Sequence, residues 1–312
     1  MSTTGTTNIL VFGATGWVGR ALQRQLLKKG SFKVFAASRT AGPNSNVESG
    51  AVAVRFDTSS AESVKTALAT HAITQVFFML PKTINFGPKE GVVKLTKTLI
   101  DGCVLYGAAL QHLVFMSVAN CDTCPDGVTH FKNCLYVEGQ IKATALSCSY
   151  LRPVAFFENF DDPDNWNPLK KGAILSLWAE QVSNQYVGCE DIAKAAVAMF
   201  SAPEQWRGRT LNCIGSVSTG TDLVNALSGA SGVPCKWGLA LPRCLFCILP
   251  SDLRCMIQWF ESSGYTCQGD IAEFRSVVPD AMDAAAFFRF KGAWGNGEAF
   301  APVPEAQSLN GK

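Results

Sequence analysis

The residues best suited to chemistry lie near the start of the chain, in Gly13-Ala14-Thr15-Gly16-Trp17-Val18-Gly19. The run follows the apolar stretch Ile9-Leu10-Val11-Phe12 and leads into the amphipathic segment Arg20 to Leu27. Glycines at these spacings let backbone approach a pyrophosphate. The free N–H groups and positive dipole end of a following helix then face its charge. The pattern needs a strand before it and a helix after it, and both are present. Gly13, Thr15, Gly16, Trp17, Val18 and Gly19 are therefore candidate contacts for a dinucleotide. The next apolar segment ends in Ser38-Arg39, where sites for NAD usually carry a carboxylate on the ribose. A guanidinium there grips a 2′-phosphate that a carboxylate would repel, which favours NADP(H); the alternative is a solvated surface charge. Asp57, followed by Thr58, is placed to accept from an adenine amino group; its alternative role is to form the turn.

These groups need a scaffold. Val34 to Ala37, Val52 to Phe56, Val76 to Leu80, Leu113 to Met116 and Ser149 to Arg152 are further candidate strands, most of them continuously apolar. Between them lie helical segments that start after Ser60, at about Lys89 to Tyr106 and at about Phe131 to Leu146. Val18, Leu22 and Leu26 give the first helix one buried stripe, and Gly30 suits its left-handed end. Alternating strands and helices with strands apolar on both faces predict an α/β fold: a doubly wound parallel sheet with a smaller, mostly helical C-terminal lobe. Ligands of such sheets collect at the carboxyl ends of the strands. That adds Met79, Leu80, Ser117, Pro153 and Val154 to the candidate cofactor contacts. The expected division is a nucleotide domain over residues 1–155, to which 186–215 return, and a substrate lobe from 156–185 and 216–312.

A net charge of +2 gives no basic surface of the kind nucleic acid requires, so a small-molecule substrate is expected. No apolar run reaches the length of a membrane span, since Leu239 to Leu249 is interrupted by Pro242 and Arg243. No secretory pattern is visible in the first residues, so a reduced, cytoplasmic setting is expected for the twelve cysteines. Two C-x-x-C pairs, Cys121/Cys124 and Cys244/Cys247, lack the spacing of a zinc ribbon, and no metal is expected. Cys244 and Cys247 fall in an apolar segment and read as small core residues.

Several segments together resemble the NmrA-like branch of the atypical short-chain dehydrogenase/reductases. They are the G-A-T-G-x-x-G turn, Arg39, Asp57, His112-Leu113-Val114-Phe115-Met116-Ser117, and His130-Phe131 leading to Val137-Glu138. Further along are Tyr150-Leu151-Arg152-Pro153, Phe157-Glu158-Asn159-Phe160, Glu190-Asp191-Ile192-Ala193, and Gly264-Tyr265-Thr266 with Asp270. The resemblance implies a Rossmann domain that binds NADP(H), with a small lobe over the nicotinamide end. It also implies one of two functions: a reductase, including those of fungal natural-product pathways, or a redox sensor that regulates partners. Ser117 matches the superfamily's catalytic Ser, and His130 stands where other members place Tyr. The Lys that would hold the ribose and lower the Tyr pKa is replaced by Cys134. Lys132 and Tyr136 are each two residues from that position and so face away from it on a helix.

Ser117, His130 and Cys134 are thus the candidate catalytic positions. A thiol offers no permanent positive charge, and imidazole is the side chain in this window suited to proton exchange near neutrality. Hydride addition to a carbonyl leaves an alkoxide that needs a proton, whereas addition to an iminium ion leaves a neutral amine. A site without the Tyr/Lys pair therefore matches reduction of C=N, with cofactor-assisted cyclisation as an extension. Aromatic residues Phe156, Phe157, Phe160 and Trp166 lie beside Glu158, Asp161 and Asp162, a combination that favours a bulky, cationic ligand. The alternative is that these rings are core and the carboxylates solvated. With Asn120 and Asn159 the aromatics are the candidate substrate contacts. The expected function is an NADPH-dependent reductase of a small apolar metabolite in specialised metabolism. The alternative is an NADP(H)-sensing regulator without turnover.

Overall fold

The computed structural model describes residues 7–38, 47–161, 168–170 and 172–291. The chain divides into two compact units. The first is formed by residues 1–122, 129–152 and 192–211, and the second by 123–128, 153–191 and 212–312.

The first unit is built around β1 (Thr7–Val11), β2 (Phe32–Ser38), β3 (Val52–Arg55), β4 (Gln75–Met79), β5 (His112–Met116) and β6 (Cys148–Pro153). Pairing runs β3-β2-β1-β4-β5-β6, every neighbour parallel. A seventh strand, β11 (Thr210–Cys213), borders β6. Ile9, Leu10, Val11, Phe77, Val114 and Phe115 are at most 2% exposed, as expected of strands covered on both faces. Each such side chain contributes roughly 1.5–3 kcal/mol by leaving water.

The connecting helices are α1 (Trp17–Lys29), α2 (Ala61–Thr70), the single turn α3 (Lys82–Asn85), α4 (Lys89–Tyr106) and α5 (Thr129–Lys142). Val18, Leu22 and Leu26 form the buried stripe of α1, and Gly30 ends it at φ 72° with its N–H on the Leu27 carbonyl. Ser60 caps α2 by accepting from the Ser63 N–H at 3.1 Å. The fifth helix stops at Lys142, short of Leu146. Thr144 donates its hydroxyl and its N–H to the Ile141 carbonyl, which turns the chain out of the helix.

The second unit holds β7 (Ala155–Phe156), β8 (Leu169–Lys170), β9 (Ala173–Ser176), β10 (Asn184–Val187), β12 (Ser216–Ser218) and β13 (Lys236–Leu239). They form two three-stranded sheets, β12-β10-β7 and β13-β9-β8. Its helices include α8 (Gly220–Ser231), α9 (Ser251–Ser263), α10 (Ile271–Val277) and α11 (Ala284–Lys291); α6 (Cys189–Ser201) and α7 (Pro203–Trp206) precede β11. Helices are joined here by strands of two to four residues, too short for a period of two to be read from sequence. A capping box between Thr219 and Asp222 starts α8.

One expectation fails in this unit. Cys244 and Cys247 are exposed rather than core, on a 3-10 turn over Arg243–Ile248. Pro242 and Pro250 bracket the turn, and Leu245 and Ile248 on it are also exposed.

Candidate functional site

In the order β3-β2-β1-β4-β5-β6 the direction of winding reverses between β1 and β4. The crevice beyond the carboxyl ends of those two strands is where such a sheet receives a ligand. Gly13 leaves β1 there at φ 86°, a left-handed conformation that glycine adopts without strain. A Cβ on it would lie 2.7 Å from Cγ of Met79, the last residue of β4, so the two exits close on each other. At Gly19 a Cβ would lie 2.1 Å from the Gly13 carbonyl oxygen, which packs α1 against the turn.

Gly16 is different. It caps α1 at an ordinary φ of −80°, and the nearest atom to an added Cβ is 3.6 Å away. Nothing among the described residues requires a glycine at this position. The missing side chain leaves an exposed opening beside the first N–H groups of α1. No side chain caps that helix start, and no acidic residue lies in its first turn. An anionic pyrophosphate fits this cradle. Thr15 and Trp17 flank the opening and are exposed, while Val18 is buried and anchors the helix.

Gln23 braces the turn from behind, a role not read from the sequence. Its amide donates to the Ala14 carbonyl at 2.7 Å and to Gly19 at 3.1 Å, and its oxygen accepts from the Glu48 N–H. The Glu48 carboxylate in turn pairs with Arg20 and Arg24 at 2.9 and 2.8 Å. The signal available in the sequence was a polar residue beside Leu22 and three before Leu26, at the edge of the apolar stripe of α1.

Ser38 ends β2 beside Arg55 of β3. Arg39 lies outside the described residues, as do Asp162 and Trp166. Asp57 is exposed, and its two carboxylate oxygens accept from the Ser59 N–H and hydroxyl, each at 2.8 Å. Those bonds hold its pKa below the ordinary value and form the turn. Thr58 is half-buried at its centre, and Leu80, after β4, is buried.

Beyond β5, Ser117 is buried and its hydroxyl faces the Cys121 thiol at 3.8 Å. Both belong to a cluster around Glu138 of α5, whose carboxylate is fully buried. Arg152 of β6 grips that carboxylate with two bonds of 2.8 Å. Lys142 adds a contact at 3.0 Å, and Asp122 holds a further nitrogen of Arg152 at 2.7 Å. Burial alone would raise the Glu138 pKa, but the hydrogen bonds from Arg152 and Ser117 outweigh it and bring it down to about 2. Burial and the Glu138 charge push the Cys121 thiol up to about 12.

His130, Cys134 and Glu138 are spaced by four on α5, and all three are buried. Lys132 and Tyr136 lie off this stripe; the Tyr136 ring meets the Lys89 ammonium of α4 at 5.9 Å. The imidazole of His130 is covered by Phe86, ring centroids 4.4 Å apart and nearly parallel at 23°. Asn133 of α5 donates to the Asn85 carbonyl at 2.8 Å, holding the segment that carries Phe86. Phe86 is itself 59% exposed, a partner for His130 that the sequence reading missed. Asn120, in the loop after β5, sits at φ 60°, a conformation that Asn tolerates better than most residues.

The remaining candidates belong to the second unit, part of which begins at Pro153. Pro153 closes β6; Val154 is buried and its N–H donates to the Cys213 carbonyl at 3.3 Å. Phe156 is half-buried on β7 opposite Val187, and Asn159 is exposed. Phe157 and Phe160 take the packing role rather than the lining one. Phe157 stacks between Tyr186 at 5.5 Å and Phe287 at 5.0 Å, and Phe160 packs on Phe288, in the core of this unit. Glu158 is likewise withdrawn from a cation-attracting role. It is buried and accepts from the Cys189 N–H at the start of α6 through both oxygens.

A family model described as the NmrA-like family matches residues 5–267. An NmrA-like family domain-containing oxidoreductase of Aspergillus versicolor, notA', is 23% identical over 268 residues, which span 75% of this chain and 71% of that protein. The crystal structure of NmrA, a negative transcriptional regulator, in complex with NADP superposes with a TM-score of 0.67 at 14% identity over 98% of each chain. An NADPH-dependent quinone oxidoreductase of Escherichia coli superposes with a TM-score of 0.69 at 17% identity, covering 89% of this chain and 97% of its own. Both structures share the fold of this chain. No helix among the described residues is long and apolar enough to cross a membrane.

Proposed function

The chain belongs to the NmrA-like family, and from that premise we propose that it is an NADPH-dependent reductase of a small apolar metabolite, with an imine or iminium group as the preferred substrate. NADP(H) is the cofactor: the open cradle at Gly16, at the point where strand order reverses, supports it, as do the NADP-bound and NADPH-dependent proteins of the same fold. Bound there, it supplies a hydride. Gly13, Thr15, Gly16, Trp17, Val18 and Gly19 receive the pyrophosphate. Ser38 and Arg39 are assigned to the 2′-phosphate, and Asp57 and Thr58 to the adenine side. Met79, Leu80, Ser117, Pro153 and Val154 are assigned to the strand-end contacts.

The choice of C=N rests on α5. The position that would hold a lysine is a buried thiol, Cys134, and Lys132 and Tyr136 are turned off its stripe. Ser117 is bonded into the Glu138 cluster, so its hydroxyl proton already has a partner. Reduction of an iminium carbon forms one C–H bond, moves the C=N π pair onto nitrogen and ends on a neutral amine. No alkoxide has to be protonated, so these residues need only orient the substrate and exclude water. Asn120, Phe156, Asn159 and Trp166 remain the proposed substrate contacts. Specialised metabolism is the proposed setting, and cofactor-assisted cyclisation is the proposed extension.

The experiment is to follow NADPH absorbance against cyclic imines, simple ketones and quinones. Oxidation with imines and not with ketones supports the reading; turnover of ketones alone would overturn it. Introducing the missing ammonium with Cys134→Lys is expected to add ketone reduction. The absence of the relay also favours a second reading, an NADP(H)-binding regulator like NmrA. Tight NADPH binding without oxidation by any member of the panel would select it. For the cofactor, Arg39→Ala is expected to weaken NADPH by about ten-fold or more and to leave NADH unchanged; equal loss of both would remove Arg39 from the phosphate.

A further inference from the structure

Two thiols stand apart from the other ten. Of the twelve cysteines, all among the described residues, only Cys244 and Cys247 are exposed. Neither is assigned to nucleotide or substrate. We propose that they form an oxidisable dithiol, which closes to an intramolecular disulfide by exchange with a low-molecular-weight disulfide such as oxidised glutathione.

The local backbone supports the closure. Arg243–Ile248 is a 3-10 turn. In that geometry residues three apart eclipse each other on one side, and a rise of about 2 Å per residue puts their Cα atoms about 6 Å apart. A disulfide spans about 4.4–6.8 Å between Cα atoms, so the bridge forms without unwinding the turn. The Cys247 side chain already folds back over this turn: its thiol donates to the Cys244 carbonyl at 3.7 Å.

The turn is also held in place. Arg243 pairs with Glu261 of α9 through both terminal nitrogens and lies over Phe246. Arg254, also on α9, donates to the Cys247 carbonyl at 3.2 Å. The two thiols are therefore presented side by side on a fixed base, where either redox state keeps the same backbone. The other C-x-x-C pair gives the contrast: Cys121 and Cys124 are buried, which denies them to a solution oxidant.

The Cys244 thiolate attacks one sulfur of the small disulfide and expels one glutathione thiolate, leaving a mixed disulfide on Cys244. The Cys247 thiolate attacks the Cys244 sulfur and expels the second. The protein loses two protons and two electrons, and two reduced glutathiones carry them away.

The test uses the full-length protein, fully reduced and then equilibrated in glutathione buffers of increasing oxidised fraction. After acid quench and alkylation, trypsin releases Cys244 to Arg254 as one peptide containing these two cysteines alone. The expected result is loss of two hydrogens and of both alkylation sites in this peptide, reversed by excess reduced glutathione. Cys247→Ser, at an exposed position, is expected to stop at a glutathione adduct on Cys244 with the melting temperature unchanged. The proposal is overturned if both thiols remain alkylatable at the oxidising end. It is equally overturned if wild type stops at the adduct, or if either cysteine bridges to a different one.

Discussion

Three glycines in one turn are asked for three different things. Gly13 needs its positive φ and room for Met79, and Gly19 needs contact with a carbonyl oxygen. Gly16 needs neither, so its opening is available to a ligand. The three alanine variants should therefore separate. Gly16→Ala is expected to change stability by less than about 1 kcal/mol and to weaken NADPH binding by about ten-fold or more. Gly13→Ala and Gly19→Ala are expected to lower the melting temperature before any ligand is added. Calorimetry and equilibrium binding on the same three proteins check this. Equal melting temperatures across the series would mean that the turn is not packed as described.

At the scale of elements, α5 and β6 are joined by charge. Arg152 and Lys142 hold the Glu138 carboxylate, and Asp122 completes the cluster. Removing the guanidinium leaves a buried carboxylate poorly compensated, which costs about 3–5 kcal/mol. Arg152→Met should lose that much in urea denaturation, and Glu138→Gln with Arg152→Met should recover part of it. If the double variant is no more stable than the single, the pair is not the source of the loss. This cluster shows what the sequence conveyed and what it withheld. Val137-Glu138 and Arg152-Pro153 were visible as separate segments, since each sits in its own apolar pattern. That they meet depends on β6 pairing beside β5, a non-local fact. The stacking of Phe86 on His130 is non-local in the same way: the two segments dock through Asn85 and Asn133, 48 residues apart. The glycine turn was legible because its strand, turn and helix are contiguous. The core role of Phe157 and Phe160 was not, because the rings that bury them, Phe287 and Phe288, come from the far end of the chain.

For the whole molecule, two buried groups among the described residues, His112 and Glu138, contribute strongly to the response to acid. His112 is fully buried between Ser147 and Ser149, at 2.8 and 2.7 Å. Ser149 gives its proton to the Trp206 carbonyl, so the imidazole donates to Ser149 from Nε2 and accepts from Ser147 at Nδ1. Burial, with the positive charge of Arg207, lowers its pKa from 6.5 to about 4. Between those values the unfolded chain binds a proton that the native imidazole refuses. Stability is therefore complete above pH 6.5 and is lost as pH falls toward 4, by roughly 3 kcal/mol. Glu138 acts in the same direction in a lower window, from 4.5 down to about 2. The melting temperature should begin to fall below pH 6.5, and His112→Gln should flatten the profile between pH 6.5 and 5. A wild-type profile already flat across that interval would contradict the neutral, buried imidazole.

The aromatic cover on His130 makes its own environment readable by proton NMR. A benzene ring lying 4.4 Å from the imidazole shields the carbon-bound protons of that ring and moves their resonances upfield. With three histidines in the chain, these signals can be assigned by single substitutions. Phe86→Leu should return the His130 pair downfield, and a non-aromatic molecule that parts the two rings should do the same, reporting its arrival without a turnover assay.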